Sequence, residues 1–127
     1  MKKTFLSLAF LIACCLQVAA QAEIKFDKTL HDFGTFSEAT PTQTCVFTYT
    51  NTGNESLIIN QAVASCGCTV PSYTKEPIQP GMTGEIKVTY NGKGKFPGRF
   101  KKAITIRTNA KQELIRLFVA GDMTEAK

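Results

Sequence analysis

Beyond its first twenty residues, the sequence predicts an all-β fold, an antiparallel two-sheet sandwich of about seven strands. Three observations carry this. Apolar and polar residues alternate with period two in one segment after another, the pattern of half-buried strands. Clusters of Gly, Pro and Asn separate these segments at intervals of roughly ten residues, the spacing of small sandwiches and barrels. No segment between them has helical periodicity, which argues against the crossover helices of a parallel α/β sheet. A small barrel is the alternative architecture.

Glu23 to Phe26 opens the domain as a short strand with Ile24 and Phe26 on one face, and His31 to Phe36 continues after a break. Thr42 to Thr50 follows, with Cys45, Phe47 and Tyr49 directed inward and Thr44, Val46 and Thr48 outward. Asn51-Thr52-Gly53-Asn54 then supplies a turn. Leu57 to Ala64 forms the next strand and leads into Ser65-Cys66-Gly67-Cys68-Thr69, beyond which Pro71 marks an irregular edge segment. In Gln79-Pro80-Gly81, Pro80 presets φ and Gly81 suits the left-handed position of a type II turn. Ile86, Val88 and Tyr90 form the dry face of the strand that follows. A loop from Asn91 to Gly98 leads as a hairpin into Phe100 to Thr108, with Ile104 and Ile106 inward and Arg107 outward. Glu113 to Ala120 closes the fold on Ile115, Leu117 and Val119, and Gly121 to Lys127 reads as a polar tail.

The chain of 127 residues holds one such domain, residues 23–127, behind a leader at residues 1–22. Lys2 and Lys3 precede an apolar run from Thr4 to Val18, and Ala19-Ala20-Gln21-Ala22 offers small residues for cleavage after Ala20 or Ala22, the form of a secretory signal peptide. Leu11-Ile12-Ala13-Cys14 also fits a lipobox, which would instead leave an acylated Cys14 as a membrane anchor. Both forms of the leader export the protein. Apolar residues make up 43% of the chain and charged residues 20%, ordinary for a globular domain and not for a disordered one. No apolar run of membrane-spanning length follows the leader. Departure of Lys2 and Lys3 lowers the net charge from +5 to +3. That mild basicity suits an anionic surface and is too weak to argue for nucleic acid.

The order of motifs resembles a known family. From about Ile24 to Gly121 the chain carries Asp32-Phe33-Gly34, Phe47-x-Tyr49-x-Asn51-x-Gly53, Leu57-Ile58-Ile59, Ser65-Cys66-Gly67-Cys68-Thr69, Pro80-Gly81, Gly98-x-Phe100, Thr108-Asn109 and Val119-Ala120-Gly121. In these it is similar to the bacterial domain-of-unknown-function family 1573, found in exported proteins of Gram-negative Bacteroidetes. The resemblance implies an immunoglobulin-like sandwich in the periplasm or cell envelope, akin to binding modules of ciliary and sperm-associated proteins. It implies no activity and no cofactor, and Cys45 lies outside its motif.

Loss of the leader leaves Cys45, Cys66 and Cys68, an odd count for an oxidising compartment. Cysteines two apart on an extended strand have Cα atoms roughly 6.6 Å apart, near the limit for a disulfide, and a bend at Gly67 would bring them closer. Three readings follow. A Cys66–Cys68 disulfide would serve thiol exchange, and the two thiolates would suit Cu(I), with Cys45, His31, Met82 and Met123 as further donors. The third reading is structural, with the cysteines packed as small apolar residues or one of them bonded to Cys45. A bond to Cys45 would close a loop of about 20 residues and contribute roughly 3 kcal/mol.

His31 beside Asp32 is the one histidine–acid pairing, and no serine sits in a nucleophile-elbow context. The residues thus favour a non-enzymatic binding or structural module. Its candidate face is a basic cluster, Lys93, Lys95, Arg99, Lys101 and Lys102 with Phe96 at a loop tip, to which Lys87 and Arg107 add further charge. An acidic protein or other cell-envelope component, or an anionic membrane surface, is the partner this cluster suits.

Overall fold

The computed structural model describes residues 20–126, so residues 1–19, most of the leader with the lipobox at Cys14, lie outside the described residues, while Ala20 to Ala22 around the expected cleavage site lie within them. Eight strands form: β1 (Ile24–Phe26), β2 (Leu30–Ser37), β3 (Thr42–Asn51), β4 (Ile59–Ala64), β5 (Thr69–Tyr73), β6 (Thr83–Asn91), β7 (Gly98–Thr108) and β8 (Leu114–Thr124). They build two four-stranded sheets, one ordered β1-β3-β6-β5 and the other β2-β8-β7-β4. The expected sandwich is present. Its pairs are antiparallel except β2 with β8, which run parallel.

The alternation read from the sequence produces the core. Phe47, Tyr49, Ile86 and Val88 of the first sheet face Ile104, Ile106, Leu117 and Val119 of the second, all buried. Their burial, worth roughly 1.5–3 kcal/mol for each large side chain, is the main force joining the two layers. Asn51, fully buried at the end of β3, ties the loops of that end together. Its Nδ2 donates to the carbonyls of Glu55 and Ile78, at 2.6 and 2.9 Å, and its Oδ1 accepts from the Gly53 amide at 3.0 Å. The type II turn is as expected, with Gly81 at φ +82° and the Met82 amide donating to the Gln79 carbonyl at 2.9 Å.

Three segments depart from the sequence reading. The supposed tail is the end of β8, where Met123 is buried and Gly121 lies against the rings of Phe100 and Phe36. Its mixed polarity hid a strand paired on both sides, to β2 and β7. Leu57 to Ala64 is not one continuous strand. Leu57 pairs with Ile78 in an isolated bridge, and a register shift between Ile59 and Gln61 changes the parity, so that Ile59, Ala62 and Ala64 turn inward. The loop from Gly92 to Pro97 is no hairpin, because β6 and β7 belong to different sheets. It arches from one sheet to the other, and beneath it Tyr90 stacks on Phe100 at 4.0 Å.

Pro71 sits on β5, an edge strand, as its chemistry requires. The Asn91 amide donates to the Cys68 carbonyl and the Thr74 amide to the Glu85 carbonyl, so residues 68, 70, 72 and 74 bond to β6 and residue 71 faces the open edge. A residue without an N–H there removes a donor that a further strand would need.

Candidate functional site

Three arches cross between the sheets at one end of the sandwich. The turn from Glu38 to Pro41 joins β2 to β3, Ser65 to Cys68 joins β4 to β5, and Gly92 to Pro97 joins β6 to β7. The Gly92 amide donates to the Pro41 carbonyl at 3.0 Å, and the Asn91 amide to the Cys68 carbonyl at 2.8 Å. These bonds bring together two features far apart in the sequence, the cysteine motif and the basic loop.

At the β4–β5 arch, Cys66 and Cys68 are bonded to each other, with Cα atoms 5.2 Å apart. The bend expected at Gly67 supplies the approach, and the Thr69 amide closes the turn on the Cys66 carbonyl at 3.1 Å. Cys68 is buried, Cys66 half-buried and Gly67 exposed with open space around it. Cys45 is buried in the core as a free thiol, so the bond to Cys45 envisaged from the sequence does not form. Burial pushes its pKa up to about 11, which leaves it protonated and unreactive at neutral pH. In the disulfide neither Cys66 nor Cys68 is a thiolate. Among the described residues no three of His, Cys, Asp and Glu gather as a metal site.

The β6–β7 arch is an ordered turn. The Lys95 amide donates to the Gly92 carbonyl and the Lys93 amide to Asn91 Oδ1, both at 3.0 Å, while Gly94 takes φ +79°. Phe96 at its tip is 96% exposed. Below the arch, Phe36, Tyr90 and Phe100 close the end of the core, with Phe36 edge-on to both other rings. Gly92 belongs to this packing, since a Cβ there would lie 2.7 Å from Met123 Sδ.

The structure divides the basic cluster. Lys93, Lys95, Arg99 and Lys101 are exposed, and Arg99 and Lys101 share the outer face of the second sheet. There they line an open groove of about 460 Å³ with Leu30, Asp32, Phe100 and Ala120. Lys101 Nζ lies 4.7 Å from the centre of the Phe118 ring. Lys102 has the opposite parity, on the side of Phe100 and Ile104, and is half-buried. Lys87 lies on β6 of the first sheet and Arg107 at the far end of β7, so neither extends the cluster. Among the described residues none of these cations has an ion-pair partner. A sequence signal underlies this excess: from Ile86 to Gln112 there are eight Lys or Arg residues and no Asp or Glu.

His31 and Asp32 share no hydrogen bond. The ring of His31 packs edge-on to Phe33, its Nδ1 accepts from Lys28 Nζ at 2.9 Å, and burial together with the Lys28 charge lowers its pKa, a shift the Asp32 charge partly offsets. Asp32 Oδ1 accepts from the Gly34 amide at 2.8 Å.

A family model described as "Protein of unknown function (DUF1573)" matches residues 24–123, nearly all of the sandwich. The chain belongs to the DUF1573 family. Among solved structures, this DUF1573 domain is similar to a protein of unknown function from Porphyromonas gingivalis W83, with TM-score 0.70 and 18% identity. That match covers 85% of this chain and 50% of the other, so the domain spans about half the length of its relative. It is also similar to the ASH / PapD-like domain 7 of human CEP192, with TM-score 0.66 and 10% identity over 88% of this chain and 92% of that one. The periplasmic chaperone SfaE matches with TM-score 0.55 and 10% identity, over 83% of this chain and 59% of its own. At such identities the likeness is one of fold. No curated protein matches the sequence.

Proposed function

We propose that this DUF1573 protein is a non-enzymatic binding module of the periplasm or cell envelope of a Gram-negative bacterium, and that it engages an anionic component of the envelope through the β6–β7 arch. The observation that carries this reading is the set of exposed cations without ion-pair partners among the described residues, Lys93 and Lys95 in the arch with the fully exposed Phe96 and Arg99 just beyond it at the start of β7. Cations without carboxylate partners have charge to offer a ligand, and an ordered turn presents it with little entropy left to lose on binding. The leader read from the sequence supports export, and the separate engagements of His31, Asp32 and Cys45 support binding over catalysis. Polyglutamate serves as a probe of this face. Binding should weaken with salt and fall when Lys93 and Lys95 are changed to Glu, and binding unaltered by those changes would remove the arch from the account.

One observation favours a second reading, thiol exchange at the Cys66–Cys68 disulfide: the bond lies in an arch with Gly67 exposed and Cys66 half-buried. A partner thiolate attacking Cys66 Sγ would form a mixed disulfide and release Cys68 as a thiolate, and a second partner thiol would complete reduction. The reduced pair would then offer two soft donors to Cu(I). Counting thiols by mass before and after mild reduction tests this reading. Rapid release of two thiols supports exchange and resistance of the bond ends it, while copper retained by the reduced protein through gel filtration would support the metal form.

A further inference from the structure

We propose that the tip of the β6–β7 arch seats on an anionic phospholipid surface, with Phe96 entering the headgroup region and Lys93, Lys95 and Arg99 meeting the lipid phosphates. This rests on the reading of the arch as the binding face and names its ligand. Phe96 is 96% exposed and is the one large exposed apolar side chain in the arch. A protein interface of useful affinity needs a cluster of anchors buried at its centre, which a single protruding ring does not supply. A bilayer asks less of the tip. An exposed apolar ring gains by burial at the boundary between headgroups and acyl chains, and each nearby cation gains from the negative surface.

The arch is shaped for this before it binds. The Lys93, Lys95 and Gly92 amides are all bonded, and Gly94 sets the turn, so Phe96 projects from an ordered loop. The aromatic cluster of Phe36, Tyr90 and Phe100 supports that loop from below. Charge matches as well, because these three cations form no ion pair among the described residues. Lys102 is outside the seat, on the other side of β7. The start of the described domain lies at the opposite end, where the Lys111 amide donates to the Ala22 carbonyl at 2.9 Å. The protein therefore seats with that end pointing away from the bilayer.

Co-sedimentation of the natively processed protein tests this, using phosphatidylglycerol–phosphatidylcholine vesicles, pure phosphatidylcholine vesicles and soluble polyglutamate in parallel. The protein should bind the anionic vesicles and not the neutral ones. Each of Lys93→Glu and Lys95→Glu should weaken vesicle binding by roughly fivefold or more. Phe96→Ser should weaken it roughly tenfold and leave polyglutamate binding unchanged, with Phe96→Leu restoring most of the loss. Equal binding of both vesicle types, or indifference to Phe96→Ser, overturns the lipid assignment. Binding to polyglutamate without binding to vesicles also overturns it while sparing the arch as a binding face, and failure of both probes rejects both.

Discussion

The Asn91 amide donates to the Cys68 carbonyl at 2.8 Å, joining the root of the basic arch to the disulfide-closed corner. The corner therefore holds the arch in place. Replacing both Cys66 and Cys68 by Ser should let the Asn91 amide exchange roughly tenfold faster, about the net worth of one hydrogen bond, while core amides such as Val88 and Leu117 keep their protection. Hydrogen exchange followed by NMR measures this directly. An unchanged Asn91 amide would show that the arch stands without the disulfide.

At the opposite end, Asn51 is expected to be the most sensitive polar residue of the domain. Asn51→Ala leaves the Gly53 amide without its partner and removes one of the two donors to the Ile78 carbonyl, which keeps the Leu57 amide, and should cost about 2 kcal/mol in urea unfolding. A loss below about 1 kcal/mol would mean that water replaces the side chain without penalty.

Tyr49 and Gly84 pair across β3 and β6, and a Cβ on Gly84 would collide with the Tyr49 ring and its hydroxyl. Gly84→Ala should destabilise by about 2 kcal/mol, since the buried ring has little room to move. Tyr49→Phe should be neutral or stabilising by up to about 1 kcal/mol, because the buried hydroxyl has no hydrogen-bond partner among the described residues. A clear loss on Tyr49→Phe would reveal a partner for that hydroxyl.

Cys45 makes the stability depend on alkaline pH. Its folded pKa, about 11, lies above that of an exposed thiol, so the unfolded chain ionises first. Stability from this source is complete well below about pH 8.5, the ordinary range of a free thiol, and falls as the pH rises towards 11. Tyr49 and Tyr90, whose pKa values burial also raises, add to the decline at its upper end. Cys45→Ala should flatten the slope between about pH 9 and 10, measured by urea unfolding across that range. An identical slope would place the effect elsewhere.

Much of the fold is legible in residue order, because a two-residue period needs nothing beyond neighbours to be seen. The inward sets Cys45-Phe47-Tyr49, Ile86-Val88-Tyr90 and Ile104-Ile106 were evident for that reason, as was the turn at Gly81. What escaped depends on partners distant in the chain. Met123 looks like part of a tail until β2 and β7 flank it, and the loop at Phe96 looks like a hairpin until its two strands join different sheets. The same limit applies to the candidate site. Its residues were visible as a cysteine motif and a basic cluster, yet their juxtaposition needed the Asn91–Cys68 bond, whereas the split of Lys102 from Lys101 was already written in the alternation, since Lys102 shares the parity of the inward Ile104 and Ile106.

Salt-titrated binding to immobilised polyglutamate, comparing the natively processed protein with a Lys93→Glu, Lys95→Glu, Arg99→Glu variant, tests the binding face most directly. Lys75 and Lys111, at the far end, provide the control when changed to Glu. The account predicts that wild type and control bind alike and lose roughly tenfold or more between about 50 and 300 mM salt, while the arch variant fails to bind. Binding by the arch variant equal to wild type, or failure of the far-end control to bind as well, would contradict it.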